Sequence, residues 1–291
     1  MTSSRQKLET LLSAPQLLVM PCCYDALTAS LIEQAGFSLT FMSGFAVSAA
    51  RLGLPDTGLI SYGEMLDQGR SICGRVNIPV IGDADTGYGN ALNIKRTIAG
   101  YAAAGFACAM IEDQRLPKRC GHTQGKQVVE RSEALSRIRA AVDAQAEGAD
   151  ILIMARTDAR ATHGLEEALY RCQAFADLGA DIIFLEAPES VAEMERFCRA
   201  IPGAKMANML QHGKTPLLSH GQLAEIGFKI VAYPLTLLST AISAMQQALS
   251  ALKTDGYPDH LDFATLRELL GFNEYDRQQK RYAEEIMDLK K

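Results

Sequence analysis

Lys118-Arg119-Cys120-Gly121-His122 places a thiol between two cations and an imidazole. Positive neighbours favour the thiolate, so a cysteine in this setting serves as a nucleophile or as a proton carrier near neutral pH. One Cys and one His at this spacing, with no second cysteine pair, make a poor zinc site. A second group is acidic: Asp83 and Asp85 flank an alanine, and Glu112 follows later in the chain. Three carboxylates without a matching set of His or Cys suit a hard cation, Mg2+ first and Mn2+ second, that keeps waters and takes its remaining ligands from a substrate. Such a cation can chelate a 2-oxo or 2-hydroxy carboxylate and stabilise the negative charge that develops on its oxygen. Arg156 adds a planar fork for a further carboxylate.

These residues need elements that bring them together. Short apolar, β-branched runs recur at 16–22, 38–43, 78–85, 107–113, 150–158, 181–188, 204–209 and 229–235. Helical patterns lie between them at 91–105, 131–148, 164–179 and 190–201, and three of these run into a glycine suited to end a helix. Alternation of this kind means parallel strands with helical crossovers, and runs that are apolar throughout are covered on both faces. The expected fold class is α/β, a (β/α)8 TIM barrel, with a doubly wound open sheet as the runner-up. Reading each strand toward its C-terminal end gives Ser43, Asp83 and Asp85, Glu112 and Asp113, Arg156 and Asp158, Glu186, Asn208 and Tyr233. Barrel enzymes build their sites from those ends, so the side chains should converge in one mouth.

Composition excludes several alternatives. A chain of 291 residues, 48% hydrophobic and 22% charged, is globular, and no linker suggests a second domain. The expected organisation is a single barrel domain over 1–291 with a C-terminal helical extension, in which 235–253 is an amphipathic helix and 257–263 a turn before a last helical stretch. A net charge of -5 offers no cationic field for nucleic acid or an anionic membrane, so neither is an expected partner. The N-terminal residues lack the apolar core of a signal peptide and no run has transmembrane length, which gives a cytoplasmic expectation. Seven scattered cysteines read as free thiols. "DTGYGN" lacks the spaced glycines of a dinucleotide site. His163, His212, His220 and His260 read as surface or loop residues, with His212 the one that could reach the mouth.

"KRCGH", together with "SGFAVSAARLGLPD" (43–56), "GDADTGYGN" (82–90), "IEDQ" (111–114), "MARTDA" (154–159), "EAPES" (186–190) and "MANML" (206–210), resembles the isocitrate lyase/phosphoenolpyruvate mutase superfamily over roughly residues 15 to 275. Within it the chain is similar to the short branch that contains 2-methylisocitrate lyase, 2,3-dimethylmalate lyase and oxaloacetate hydrolase. The resemblance implies a Mg2+-dependent barrel, a homotetramer with helices swapped between subunits, and a small carboxylate as substrate. It assigns Asp83, Asp85, Glu112 and Asp56 to the metal and its water shell. It implies Cys120, His122 and Arg156 as catalytic residues, with Cys120, Gly121 and His122 on a gating loop. Ser43, Gly44, Phe45, Lys118, Gly121, Glu186, Asn208 and Leu235 are the implied substrate-binding set.

The implied reaction is cleavage of a 2-hydroxy di- or tricarboxylate, of the 2-methylisocitrate or 2,3-dimethylmalate type, to pyruvate or glyoxylate plus a carboxylate. Cys120 protonates the carbanion. Oxaloacetate hydrolysis to oxalate and acetate is the alternative, followed by a phosphonate-forming mutase and a silent ligand-binding barrel. The chain departs from the methylisocitrate lyases in carrying Phe41 where they have a tyrosine base, and Phe45 where they have glycine. Tyr24 and a metal-bound hydroxide remain as substitutes for the base. Phe184, Leu235 and Thr236 near the far end of the substrate favour a methyl or alkyl substituent.

Overall fold

The computed structural model describes residues 2–119 and 125–288, with side chains to 283. Eight parallel strands close into a barrel in chain order: β1 (Leu18–Cys23), β2 (Thr40–Met42), β3 (Val80–Asp83), β4 (Cys108–Glu112), β5 (Leu152–Thr157), β6 (Ile182–Leu185), β7 (Ala204–Asn208) and β8 (Ile230–Tyr233). Closure is made by β1 and β8, where Leu18 pairs with Ile230 and Pro21 with Tyr233. All eight apolar runs are strands: β1 reaches one residue past its run, to Cys23, the others are trimmed by one to four residues in all, and the barrel replaces the open sheet.

The helices are α1 (Ser4–Ser13), α2 (Ala26–Gln34), α3 (Gly44–Val47), α4 (Tyr62–Cys73), α5 (Ala91–Ala104), α6 (Arg131–Ala146), α7 (Arg160–His163), α8 (Leu165–Asp177), α9 (Val191–Ala200), α10 (His220–Ile226), α11 (Thr236–Leu252), α12 (Phe263–Leu269) and α13 (Phe272–Asp288). Gly105, Gly148 and Gly179 follow α5, α6 and α8 with φ of 96°, 112° and 98°. That left-handed backbone is open to glycine at no steric cost, which is why the three glycines mark helix ends. One turn of π-helix, Ser48–Leu52, continues α3. The last helical stretch is two helices, broken at Gly271 with φ 84°.

Strands β3, β4, β5 and β6 are buried at every position. Their alternate residues divide between two cores. Met20, Phe41, Ile81, Met110, Met154 and Phe184 fill the barrel interior, while Met42, Ile111, Ile153 and Ile183 pack outward under the helices. Leu8 of α1 is fully buried with the interior set. Helix α1 is held by a reciprocal cap between Ser3 and Gln6.

The chain divides into two compact units, Met1–Ser239 and Thr240–Lys291. The first contains the barrel. The second contains most of α11 together with α12 and α13. Among the described residues no helix is long and apolar enough to cross a membrane.

Candidate active site

The C-terminal ends of the strands surround a cavity of about 620 Å³, including the part open to solvent. On its wall stand Ser43, Phe45, Asp56, Asp83, Glu112 and Lys118, and further round Arg156, Glu186, Asn208 and Leu235. Strand closure therefore gathers ten of the expected residues from segments nearly two hundred positions apart. Cys120, Gly121 and His122 lie outside the described residues. The residue before them, Arg119, is on the wall, and the Gln114 side chain grips its backbone from both sides, Nε2 donating to Arg119 O and Oε1 accepting from Arg119 N, each at 2.8 Å.

Two expected residues stand behind the wall. The Gly44 N–H, at the start of α3, donates to Asp83 Oδ2 at 3.0 Å. Asp85 follows the end of β3 with φ 50°, so it does not share a strand face with Asp83 as simple alternation would have it. Its backbone N–H turns back to Asp83 Oδ1 at 3.1 Å. Aspartate is among the few residues that accept this left-handed backbone readily.

A buried ammonium occupies the centre of the acidic group. Lys118 Nζ lies 2.6 Å from Asp56 Oδ1 and 2.5 Å from Asp85 Oδ1, with all three side chains about 95% buried or more. Burial alone would lower the Lys118 pKa, but Asp85, Asp83, Glu112 and Asp56 together raise it well above the usual value. Burial and then Asp85 push Asp83 up to about 6. Burial also carries Glu112 well above the ordinary range against the pull of Arg156 and Lys118. The pattern is that of a pocket with more negative charge than one lysine neutralises.

That pattern fits a divalent cation. Glu112 Oε1 is buried and accepts no hydrogen bond among the described residues, so its lone pairs fit a hard cation or its water. Among the described residues no three His, Cys, Asp or Glu groups form a ready-made metal cluster. The donors present suit a cation that retains several waters, as Mg2+ does.

Arg156, from β5, is fixed by Asp158. Its Nε donates to Asp158 Oδ2 at 2.9 Å and its NH2 to Oδ1 at 3.1 Å, which leaves NH1 directed at Glu112 Oε2, 3.3 Å away. Glu186 Oε2 is 3.6 Å from Nε. Burial raises a carboxyl pKa, yet Arg156 and Lys126 hold Asp158 well below the usual range. Asp113 is part of the framework and not of the cavity: it accepts from Thr157 Oγ1 at 2.6 Å, from the Asp158 N–H at 2.9 Å and from Arg171 NH1 at 3.0 Å. Arg137 of α6 donates to the carbonyls of Glu112 and Gln114 and so fixes the end of β4.

Several expectations are corrected. Thr236 is exposed and opens α11, so it does not line the pocket, whereas Phe184 and Leu235 do. His212 is exposed and stands off the wall. Tyr233 accepts or donates to His220 Nε2 at 2.9 Å instead of facing the cavity. Tyr24 is off the wall as well, and burial followed by Asp25 raises its pKa. Phe41 is on the wall, so a ring without a titratable group stands there. The apolar side chains Met110, Met206 and Leu210 also line the cavity. Their types carry no chemical signal, and only strand register could have pointed to Met110 and Met206.

A family model described as phosphoenolpyruvate phosphomutase matches residues 8–253. The chain belongs to the isocitrate lyase/phosphoenolpyruvate mutase superfamily. It is 42% identical over 282 residues to a 2,3-dimethylmalate lyase of Eubacterium barkeri, covering 95% of this chain and 97% of that one. It is 44% identical over 258 residues to a chloroplastic carboxyvinyl-carboxyphosphonate phosphorylmutase of Arabidopsis thaliana, covering 87% and 76%. An oxaloacetate acetylhydrolase in complex with 3,3-difluorooxalacetate superposes with a TM-score of 0.93 at 33% identity, covering 97% of this chain and 98% of that chain. Within the superfamily, the chain is an enzyme of the lyase kind.

Two predictions concern this site. A Cβ at Gly44 would stand 2.7 Å from Asp83 Oδ2, so Gly44→Ala must push that carboxylate aside while the rest of the fold is untouched. Turnover is expected to fall roughly 10- to 100-fold with the thermal midpoint close to wild type; unchanged turnover would show that Asp83 need not stand there. The second concerns thiols. Cys22, Cys23, Cys108 and Cys172 are buried, and burial pushes half-buried Cys73 and Cys198 up to about 12. Iodoacetamide at neutral pH should therefore label the native protein rapidly at one site, Cys120. Rapid incorporation of two or more labels, counted by intact mass, would contradict this.

Proposed function

We propose that the protein is a Mg2+-dependent carbon-carbon lyase. It cleaves a 2-hydroxy di- or tricarboxylate of the 2-methylisocitrate or 2,3-dimethylmalate type into pyruvate or glyoxylate and a second carboxylate. The observation that carries this reading is the cavity itself, where Asp83 and Glu112 face Arg156 across a wall completed by Phe184 and Leu235. When bound, the cation supplies Lewis-acid stabilisation of the oxygen that becomes the oxoacid carbonyl. Asp83 and Glu112 would hold it or its waters, with Asp56 and Asp85 in the surrounding shell.

Arg156 receives a substrate carboxylate, Ser43 and the Gly44 N–H border the oxoacid, and Glu186 and Asn208 border the opposite end. Phe184 and Leu235 accept a methyl or alkyl substituent more readily than a charged arm. The 2-hydroxyl proton is lost to water in the cavity as the C2–C3 bond breaks, Cys120 donates a proton to the carbon so freed, and His122, two positions on in the sequence, tunes the thiol. Mn2+ would serve the same carboxylates. A homotetramer is supported by the large apolar side chains exposed on the second unit, among them Met245, Leu249, Leu252, Phe263 and Phe272.

The test is incubation of the purified protein with Mg2+ and, separately, 2-methylisocitrate, 2,3-dimethylmalate, isocitrate and oxaloacetate, following release or loss of oxoacid. Turnover of one of the first two, abolished by EDTA and restored by Mg2+, is the expected result. Turnover of oxaloacetate alone would favour the hydrolase reading, which the fold match to oxaloacetate acetylhydrolase also supports. No turnover of any of the four would end the proposal.

A further inference from the structure

We propose that Lys126 is a positioning residue for substrate binding: through Asp158 it holds the Arg156 guanidinium in place and keeps its charge available to an incoming carboxylate. The inference rests on Arg156 being the carboxylate-binding arginine of the proposed lyase. Arg156 is outnumbered. It meets Asp158 through two hydrogen bonds, Glu112 at 3.3 Å and Glu186 at 3.6 Å. With three carboxylates this close the guanidinium charge is shared, and a cation on the far side of Asp158 leaves more of it for an incoming carboxylate.

Lys126 supplies that offset from behind. Its Nζ lies 2.7 Å from Asp158 Oδ1, the oxygen that also accepts from Arg156 NH2, and the lysine and aspartate side chains are 2% and 0% exposed. No solvent screens the contact, so the lysine charge acts at nearly full strength on its partner. With two cations on it, Asp158 orients the guanidinium without consuming all of its charge. If Lys126 is removed, Asp158 and Arg156 become a closed neutral pair, and less of the guanidinium charge is left for an incoming carboxylate. Lys126 is not itself on the cavity wall, which makes it a residue that acts through another.

The rest of the assembly explains why Asp158 can serve as a rigid intermediary. Asp113 Oδ1 accepts the Asp158 N–H, and Arg171 fixes Asp113 in turn. Each of these partners belongs to the barrel or its helices. Lys126 alone in this set comes from the segment that also carries Cys120, six positions earlier. The segment that would deliver the proton thus also completes the charge balance at the arginine.

The experiment uses the full chain with Mg2+ present and oxalate as probe. Oxalate affinity is measured by calorimetry on wild type, Lys126→Met, Lys126→Arg and the double variant Lys126→Met/Asp158→Asn, with circular dichroism and thermal midpoints confirming the fold. KM and kcat are measured on the acid that the wild type turns over. Lys126→Met should raise the oxalate Kd and the KM about tenfold or more with a smaller fall in kcat, and Lys126→Arg should recover to within about threefold.

The double variant should bind oxalate more tightly than Lys126→Met, because the amide that replaces the Asp158 carboxylate can still accept a hydrogen bond from Arg156 but no longer neutralises it. A merely structural role would add a second loss. If Lys126→Met fails to fold, Lys126→Gln replaces it in the same measurements. A folded Lys126→Met or Lys126→Gln with unchanged oxalate affinity and KM overturns the inference and leaves the lyase reading intact. Weaker binding by the double variant than by the single one does the same. A wild type that neither binds oxalate nor turns over any of the four acids overturns the lyase reading, and the inference with it.

Discussion

Arg156→Met is expected to abolish measurable turnover and to lower the free energy of unfolding by about 3–5 kcal/mol, the usual cost of removing one partner of a buried ion pair. The size of the effect follows from the number of groups left behind. Asp158 is fully buried and loses two hydrogen bonds, while Glu112 and Glu186 lose the cation that stands 3.3 and 3.6 Å from them. Lys126 remains on Asp158, which sets the penalty below that of an aspartate with no partner at all.

Arg156→Lys should regain part of the stability but little of the binding, because an ammonium cannot reproduce a planar fork held by Asp158 on one side and facing Glu112 on the other. Urea unfolding and oxalate calorimetry check the two effects separately. The stability difference should also depend on pH. In wild type, Asp158 is held below its unfolded value of about 3.9, so its contribution is present above that pH and lost as pH falls through the lower folded value. In Arg156→Met the same carboxyl protonates at higher pH than in wild type, so the gap between the two proteins should narrow on acidification. A variant with wild-type oxalate affinity would remove Arg156 from the substrate site.

Cys120→Ser is expected to leave oxalate binding within a few fold of wild type and to reduce turnover by about 10²- to 10⁴-fold, the range that a positioned general acid contributes. A serine hydroxyl is somewhat smaller than the thiol and far less acidic, so it gives up a proton to a carbanion much less readily near neutral pH. The segment leading to Cys120 is already committed to the cavity: Lys118 is buried among the acids, and the backbone of Arg119 is clasped by Gln114. Running the reaction in D2O supplies a second readout. Wild type should place one deuterium on the released carboxylate at the cleaved carbon, and the variant should do so only at its residual rate. Full activity in Cys120→Ser would mean that the thiol transfers no proton.

Much of this site is legible in the chain before any coordinates. Asp83, Glu112, Arg156, Glu186 and Asn208 each end an apolar run, and a parallel barrel delivers such residues to one rim whatever the loops do. The glycines after α5, α6 and α8 mark helix ends because few other residues accept a left-handed backbone without strain.

Other features had no local signal. In the sequence Lys118 stands two residues before a cysteine, and only the packed structure puts its ammonium between Asp56 and Asp85. Lys126, Arg171 and Arg137 look like ordinary loop or helix charges, yet with Asp113 they hold Asp158 and the end of β4. The pairing of Asp83 with Asp85 depends on a turn at φ 50° that alternation along a strand does not anticipate.

By itself the sequence determined the barrel, its strand order and the rim on which the acids and Arg156 stand, because period, polarity and helix-ending glycines act over a few residues and leave traces there. Which charge meets which was decided only by the tertiary structure. Ion pairs such as Lys118 with Asp56 or Lys126 with Asp158 join residues 62 and 32 positions apart. Their strength comes from burial, a property of the closed barrel and not of any stretch of chain.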